Sequence, residues 1–208
     1  MNLSGTSIGG RVATHLGSLF VPKYLGRIEL AYLNKRGYIS PKAMIEHKNL
    51  TLGNYVFIGD GVKIYNARNG GRVELDDNVH LNDNIYIQTG QGGNVKIGKN
   101  THIQPSCYFL SYKGSINIGS DVQIAPQCAF YPYDHGILPG ELIFKQPLTS
   151  KGDIKIGNDV WIGFGVIILS GVTVGTGSVV GAGSVVTSSI PDGSIAVGSP
   201  ARVIKTRA

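Results

Sequence analysis

An aliphatic or phenylalanine side chain recurs at every sixth residue along most of this chain. The spacing is unbroken in the C-terminal third, and the same register continues upstream in groups of three. A small or β-branched residue usually stands four places later. The recurring positions are Leu52, Ile58, Ile64, Leu75, Leu81, Ile87, Ile97, Ile103, Phe109, Ile118, Ile124, Phe130, Ile156, Ile162, Ile168, Val174, Val180 and Val186. A weaker turn of the pattern begins near Leu33.

Three such segments of six residues predict one triangular coil with its recurring side chains pointing inward. A single coil cannot bury this apolar surface, but coils stacked at the strand spacing of about 4.8 Å can. The pattern therefore predicts an all-β fold over residues 33–208, a parallel β-helix of about six to seven triangular coils. Cys107 and Cys128 stand at the same place in successive coils, which predicts buried packing for both.

The register is interrupted four times, always in the third segment of a coil. The insertions follow Ile64, Ile87, Phe109 and Phe130, and an apolar residue restores the pattern two places before the next core position. Because the insertions occupy equivalent places, they should line up along one corner of the prism. The longest should protrude as a loop over residues 131–153, and long loops on rigid scaffolds commonly carry function.

Residues 1–32 lie outside the repeat and form a separate N-terminal arm. Apolar residues at helical spacing on both sides of Pro22 predict two short helices. The arm is expected to cap the first coil or to contact a neighbouring subunit. Its basic, amphipathic character leaves a role at a membrane surface open.

Charge and composition narrow the function classes. The net charge of +6 admits nucleic acid, anionic lipid or a phosphorylated small molecule as partner. Basic residues are not interleaved with aromatic ones, which argues against nucleic acid. The sequence has no run of eighteen apolar residues, no secretory signal and too few cysteines for a disulfide framework, so we expect no membrane insertion and a cytoplasmic location.

The segment IGNDVWIGFGVIILSGVTVGTGSVVGAGSVVTSSIPDGSIAVGSPARVIK resembles the hexapeptide-repeat acyltransferases. The histidine loop ahead of DVWIG and the ending GSPARVIK make it most similar to the maltose, galactoside and polysaccharide O-acetyltransferases. The resemblance implies a left-handed β-helix and a homotrimer. It also implies active sites in clefts between subunits, acetyl-CoA as the donor and no metal.

The loop at 131–153 contains His135, which matches the catalytic histidine of this family. Transfer of an acetyl group to a hydroxyl requires a base with a pKa near neutrality. The resemblance implies that His135 is that base and that the hydroxyl attacks directly, without an acyl-enzyme. The alternative is a surface histidine that hydrogen-bonds to the backbone. Either Asp134 or a backbone carbonyl could orient the imidazole.

The resemblance also implies a binding site for acetyl-CoA. Trp161 matches a tryptophan that forms a wall of the active-site cleft, and Phe164 replaces a smaller family residue near the pantetheine arm. Arg202 and Lys205 match a basic pair that meets the 3′-phosphate or adenine end, although a solvated tail would contain similar residues. The expected donor-site residues are Trp161, Gly163, Phe164, Ala182, Thr187, Arg202 and Lys205.

The acceptor site is expected around the same loop. Maltose- and galactoside-type enzymes have an asparagine one coil before the histidine, but PSCYFLSYKG contains none. Either Ser106, Ser111 or Tyr112 replaces it, or the acceptor differs. Aromatic rings and polar ends in the loop suit a sugar; the candidate side chains there are Tyr131, Tyr133, Glu141 and Lys145.

These observations favour an acetyl-CoA-dependent O-acetyltransferase that acts on a sugar hydroxyl, for example on a surface polysaccharide or its precursor. One alternative is N-acetylation of a nucleotide-linked amino sugar. Another is a zinc-dependent enzyme like the γ-class carbonic anhydrases, because His80 and His102 should stack on adjacent coils. A polar surface ladder is the favoured interpretation of these two histidines. A non-catalytic β-helix with a binding face is the remaining alternative.

Overall fold

The computed structural model describes residues 25–207 and the isolated positions 8, 9, 12, 16 and 19. Most of the predicted N-terminal arm therefore lies outside the described residues. Its last segment forms helix α1 (Leu25–Tyr32). In the part of the chain that the structure describes, no helix is long and apolar enough to span a bilayer.

The described chain winds through three long sheets in turn, so that each sheet forms one side of a prism. The first sheet contains β1 (Tyr38–Ile39), β4 (Phe57–Ile58), β7 (His80–Leu81), β10 (His102–Ile103), β13 (Gln123–Ile124), β18 (Trp161–Ile162), β21 (Val179–Val180), β23 (Ser194–Val197) and β24 (Arg202–Thr206). The second contains β2 (Met44–Glu46), β5 (Lys63–Asn66), β8 (Tyr86–Gly90), β11 (Tyr108–Tyr112), β14 (Ala129–Tyr131), β19 (Ile167–Leu169) and β22 (Val185–Val186). The third contains β3 (Leu50–Leu52), β6 (Val73–Leu75), β9 (Val95–Ile97), β12 (Ile116–Ile118), β17 (Ile154–Ile156) and β20 (Thr173–Val174).

Strands of successive coils pair in parallel, and the last pair, β23 and β24, is antiparallel. The recurring positions of the sequence are buried, except that Leu52 is partly buried at the first coils and packs against the core. Phe109 and Phe130 stack inside the second side, with ring centroids 4.6 Å apart. The predicted parallel β-helix of about seven coils is confirmed.

Both cysteines are buried and free. The Cys128 thiol donates to the carbonyls of Ala125 at 3.2 Å and Gly163 at 3.1 Å, and the Cys107 thiol donates to Ala125 at 3.3 Å. Their predicted packing inside the solenoid is confirmed.

At two of the three corners, the chain turns at a residue whose backbone is in the left-handed region. This residue stands three places after a core position. Glycine and asparagine adopt this conformation most readily. Asn78 donates to Asn100 at 3.1 Å, and Asn100 donates to Asp121 at 2.8 Å, so side-chain amides link neighbouring coils at one of these corners. The turning residues are Tyr55, Asn78, Asn100, Asp121, Asp159 and Gly177 at one corner, and Gly61, Asn84, Ser106, Gln127, Gly165 and Gly183 at the other.

The third corner, between the second and third sheets, contains all four insertions and is called the insertion corner below. The strands that follow the insertions pair in register through Val73, Val95, Ile116 and Ile154. The inserted loops therefore line up as predicted, and the longest leaves the solenoid after β14 and returns at β17.

Helix α1 packs across the outer face of the first sheet and covers His80. The hydroxyl of Tyr32 lies 3.1 Å from Nε2 of His80, and the rings of His80 and His102 stack at 4.3 Å. The predicted stacking of the two histidines is confirmed, but their interpretation as a surface ladder was wrong for His80, which is only 4% exposed. Burial, together with the nearby His102, lowers the pKa of His80 to about 4.

Candidate active site

The loop at 131–153 forms an ordered arm. Its two ends pair as the antiparallel strands β15 (Asp134–His135) and β16 (Leu148–Thr149). A short 3-10 helix, Ile143–Lys145, follows the turn at the outer end of the arm. Gln146 is buried inside the arm. Its Oε1 accepts from the Leu138 backbone N–H at 2.8 Å, and its Nε2 donates to the carbonyls of Leu138 and Glu141, both at 2.9 Å.

The part of the arm next to the solenoid forms hydrogen bonds within itself and to the coils. The hydroxyl of Ser150 donates to the carbonyl of Pro132 at 2.6 Å. The carboxylate of Asp153 accepts from the backbone N–H of Ser115 at 2.8 Å, which joins the arm to the preceding insertion. The arm is therefore held where it leaves the solenoid as well as along its length.

Asp134 and His135 have different surroundings although they are neighbours in β15. Successive side chains of a strand point to opposite faces. Oδ2 of Asp134 accepts a hydrogen bond from Ser170 at 2.8 Å, so this carboxylate is bound to the following coil. His135 is exposed and lies on a cleft of about 430 Å³. The cleft is lined by Asp134, His135, Ile137, Thr149, Ser150 and Lys151.

Three of the predicted acceptor residues form an aromatic cluster at the base of the arm. The ring of Tyr133 lies 5.3 Å from that of Tyr112 and 6.1 Å from that of Tyr131. Burial raises the pKa of Tyr133, with a further contribution from Tyr131, and burial likewise raises the pKa of Tyr112. The rings of all three tyrosines are partly buried.

The other acceptor candidates lie elsewhere. Ser111 is fully buried, and its hydroxyl donates to the carbonyls of Asn94 at 2.9 Å and Gly114 at 2.8 Å. Ser106 turns a corner on the opposite side of the second sheet. Glu141 and Lys145 are exposed at the tip of the arm. The tip also exposes the apolar side chains of Ile137, Leu138, Leu142, Ile143 and Phe144.

Trp161 lies on the outer face of the first sheet, in register between Gln123 and Val179, and is 56% exposed. The arm leaves the solenoid at the insertion corner, which does not border the first sheet. One chain therefore presents Trp161 and His135 on different sides of the prism.

Gly163, Phe164 and Ala182 lie at the corner between the first and second sheets. Gly163 packs directly against Ala182 in the next coil, because an added Cβ would lie 2.7 Å from the Ala182 backbone nitrogen. Phe164 and Ala182 are exposed there. Thr187 is also exposed, but it follows β22 on the insertion-corner side of the second sheet.

Arg202 and Lys205 share one outer face of the terminal strand because that strand is irregular. Arg202 pairs with Val197, and Lys205 pairs with Ile195. Three steps along β24 therefore match two steps along β23, so β24 contains one extra residue between Arg202 and Lys205. In a regular strand, residues three apart point to opposite faces, whereas a bulge of one residue places them on the same face. This is the face opposite the buried side of Ala196.

The end of this strand is fixed to the coils by Arg207. Its guanidinium lies 2.9 Å from Oδ2 of Asp159 and donates to the carbonyl of Gly177 at 3.2 Å. Arg202 and Lys205 therefore belong to a tail that is anchored beyond them.

Sequence reasoning missed three residues that shape the site. Ser170 holds Asp134, Gln146 organises the arm, and Lys151 lines the cleft of His135. The register could have indicated Ser170, because Leu169 pairs with Tyr131 immediately before the arm begins. Gln146 and Lys151 lie in a segment without repeats and have no comparable signal.

The histidine pair on the first sheet does not belong to a metal cluster within the described chain. Among the described residues, no three histidine, cysteine or acidic side chains lie close enough together to hold a metal ion.

Comparisons with known proteins agree on the fold and on the reaction class. A family described as "Bacterial transferase hexapeptide (six repeats)" matches residues 153–188, and no curated protein matches. The chain is 27% identical to the polySia specific acetyltransferase NeuO, with a TM-score of 0.68, covering 82% of this chain and 76% of that one. It is 34% identical to a galactoside acetyltransferase in complex with coenzyme A, with a TM-score of 0.56 and 64% of each chain covered.

A third similar structure is AntD, an N-acyltransferase from Bacillus cereus in complex with dTDP and 3-hydroxybutyryl-CoA. It is 26% identical, with a TM-score of 0.50, and the match covers 77% of this chain and 81% of that one. This chain spans slightly less than two thirds of the galactoside enzyme.

Proposed function

We propose that this chain, a hexapeptide-repeat acyltransferase, transfers an acetyl group from acetyl-CoA to a hydroxyl group of a sugar. The acceptor that we propose is a surface polysaccharide or its precursor. The observation that carries the proposal is the exposed His135, which a hydrogen-bonded arm holds in an open cleft.

His135 acts as the general base. An unprotonated ring nitrogen takes the proton of the acceptor hydroxyl while its oxygen attacks the thioester carbonyl. The tetrahedral intermediate then expels the thiolate of coenzyme A, which receives the proton from the imidazolium. The same group is thus base and acid. The acetyl group passes directly to the acceptor, without an acyl-enzyme.

Asp134 supports this base through the backbone. Because its carboxylate is bound to Ser170, its contribution is to fix β15 on the following coil. The antiparallel pairing of His135 with Leu148 fixes one edge of the same short strand. The backbone that carries the base is therefore held by two contacts, which helps to keep the base in position for the acceptor.

The donor site lies on the first sheet and at its corner with the second sheet, except for Thr187, which lies on the far side of the second sheet. Trp161 and Phe164 offer exposed aromatic surface, and the shared face of Arg202 and Lys205 offers two cations to a phosphate group. The galactoside acetyltransferase in complex with coenzyme A supports this assignment. The complete proposed donor site contains Trp161, Gly163, Phe164, Ala182, Thr187, Arg202 and Lys205.

The positions of Trp161 and His135 support a homotrimer. Since Trp161 and His135 lie on different sides of one prism, the arm of one subunit would meet the first sheet of the next. Each active site would then take its base from one subunit and its donor site from another. A cytoplasmic location suits a donor that cells keep in the cytoplasm.

The aromatic cluster of Tyr112, Tyr131 and Tyr133 supports a sugar as acceptor. Sugar rings present C–H faces that pack on aromatic side chains, and the phenol groups can bond to hydroxyls. Glu141 and Lys145 are further polar candidates at the arm. We leave Ser111 out of the acceptor site because it is buried and its hydroxyl already donates. The similarity to NeuO supports a polymeric acceptor and makes polysialic acid one compound to test.

N-acylation of a nucleotide-linked amino sugar is the second candidate, and the similarity to AntD favours it. A neutral amine is already a nucleophile, so this reaction would depend less on a general base. The two candidates differ in product, because O-acetylation gives an ester and N-acetylation gives an amide.

An acceptor screen tests the proposal. The full-length protein is incubated with acetyl-CoA and neutral sugars, amino sugars, nucleotide-linked amino sugars or polysaccharides, and release of the coenzyme A thiol is followed. We expect release above the hydrolytic background with a hydroxyl acceptor, and a product from which mild alkali removes the acetyl group. A product that keeps its acetyl group in mild alkali would be an amide and would favour N-acetylation over O-acetylation.

A further inference from the structure

A polar groove runs along the outer face of the third sheet, at the foot of the insertion corner. It consists of two cavities of about 570 and 210 Å³ that share Arg72, Glu74 and Asn94. The larger is also lined by Lys48, Asn49, Leu50, Thr51 and Gly71, and the smaller by Val95, Lys96, Ser115, Asn117 and Asp153. The proposed reaction leaves this groove unused.

The groove spans several coils. The outward residues of four successive strands that line it pair in register, as Thr51, Glu74, Lys96 and Asn117. Three spacings between these strands correspond to about 14 Å. This is long enough for several linked sugar residues, but it is longer than one sugar requires.

The chain segment at one end of the groove continues into the wall of the His135 cleft. Asp153 lines the groove, whereas Ser150 and Lys151 line the cleft, so Gly152 alone separates them in sequence. The preceding insertion contacts the base of the arm at the same place. A Cβ added to Gly114 would lie 2.8 Å from the carbonyl oxygen of Pro132 and 3.0 Å from that of Gly152.

The charge of the groove favours an anionic ligand. Three cations line it, Lys48, Arg72 and Lys96, against two carboxylates. Glu74 lies 3.1 Å from Arg72 and 3.8 Å from Lys96 and so contacts both cations. The side chains of Arg72 and Lys96 nevertheless remain 69% and 54% exposed.

The second carboxylate, Asp153, already accepts a backbone hydrogen bond from Ser115. The lining amides Asn49 and Asn117 can bond to hydroxyl or carboxylate groups, whereas the amide of Asn94 is already bonded to Arg72, Gly92 and Ser115. The groove therefore combines cations for acidic groups with amides for the hydroxyls between them.

We propose that this groove binds an acidic polysaccharide and holds the residues that flank the one being acetylated. The inference rests on the proposed function, because it extends the acceptor from a sugar to a carboxylate-bearing polymer. The polymer lies along the third sheet, its carboxylates meet Arg72 and Lys96, and one of its hydroxyls enters the cleft of His135. A monosaccharide acceptor would occupy only the cleft.

The test measures binding in the full-length His135→Ala protein, so that it does not depend on transfer. The probes are alginate oligosaccharides, which carry a carboxylate on each residue, and neutral dextran oligosaccharides of equal length. The groove variant is Arg72→Gln with Lys96→Gln. The charge-matched control is Lys35→Gln with Lys99→Gln, because both lysines are exposed and lie outside the groove.

We expect alginate to bind more tightly than dextran and to weaken as salt is raised. The groove variant should lose affinity for alginate by about tenfold, since it removes two charge-assisted contacts. The control should bind like the parent. Equal binding of alginate and dextran, or equal binding by the groove variant and the control, would overturn the proposal.

Transfer kinetics separate this inference from the proposed function. In the background that keeps His135, the groove variant should raise KM for an anionic polymer and leave KM for acetyl-CoA unchanged. If His135→Ala abolishes transfer but the groove variant has a normal KM for the polymer, the reaction stands and the groove assignment fails. If the groove variant loses binding while His135→Ala keeps its transfer rate, the groove stands and the assignment of the base fails.

Discussion

The carboxylate of Asp134, in the arm, accepts a hydrogen bond at 2.8 Å from the hydroxyl of Ser170, in the following coil. His135 follows in the same two-residue strand and lines the same cleft, while the bond to the following coil is made by Asp134. In the mechanism that we propose, Asp134 positions His135 through the backbone of β15. This arrangement differs from a triad, in which the acid bonds directly to the imidazole.

Removal of the Ser170 hydroxyl should reduce the rate without changing its pH dependence. For Ser170→Ala we expect kcat to fall about three- to tenfold, because the base is held less firmly. Asp134→Asn should have a similar effect, and Ser188→Ala, at an exposed serine in the last coils, should have none. A much larger loss in Asp134→Asn than in Ser170→Ala, with a shifted pH–rate profile, would instead indicate direct contact with the imidazole.

Gln146 should control the order of the arm without affecting the solenoid. Gln146→Ala removes three hydrogen bonds to the arm backbone, so the arm should be cleaved faster by protease and kcat should fall. Gln146→Glu keeps the accepting oxygen but turns a buried carboxylate oxygen toward the carbonyls of Leu138 and Glu141, so it should loosen the arm at least as much as Gln146→Ala. The thermal midpoint of the solenoid should change little in both variants. A large fall of that midpoint would contradict the separation of arm and core.

The stacked phenylalanines should dominate the stability of the middle coils. Phe130→Ala removes a fully buried ring that stacks on Phe109, and the expected cost is about 3–5 kcal/mol of unfolding free energy. Tyr108→Ala is the matched control, because this ring lies next to Phe109 on the outer face and is 44% exposed. Denaturant unfolding that shows equal losses in the two variants would contradict the assigned inward and outward positions.

His80 should make the packing of helix α1 sensitive to acid. The pKa of His80 is lowered to about 4 in the folded chain, against about 6.5 when unfolded. Between these values the unfolded chain binds more protons, so stability falls as the pH drops from about 6.5 to about 4 and levels off below. With allowance for partial solvent screening, this loss is on the order of 2 kcal/mol.

The variant His80→Gln tests this effect, since it keeps a polar partner for Tyr32 and cannot titrate in this range. Unfolding should be followed between pH 7 and 4 in the parent and the variant. We expect a shallower pH dependence in the variant. His102, whose pKa is also lowered by burial, should account for part of the slope that remains. An identical slope in the two proteins would remove His80 as its source.

The hydrophobic register predicted the solenoid because the same inward positions recur in every coil. It located the insertion corner for the same reason, since Val73, Val95, Ile116 and Ile154 resume one column. It could not show that His80 is buried, because that depends on where α1 lies across the first sheet.

The finer geometry of the site was less accessible from sequence. The shared face of Arg202 and Lys205 depends on one irregularity in strand pairing. The partner of Asp134 depends on an arm without a repeat. Family resemblance indicated His135, but the contacts of Gln146 and Ser170 that hold it require the structure.

The activity of His135→Ala tests the central claim most directly. Its kcat and its dissociation constant for acetyl-CoA should be measured beside those of the parent, with a hydroxyl acceptor identified in the screen. Loss of a general base predicts a fall in kcat of about a hundredfold or more, with binding of acetyl-CoA unchanged. A fall of less than about tenfold would contradict the role of His135 as the base for transfer to a hydroxyl.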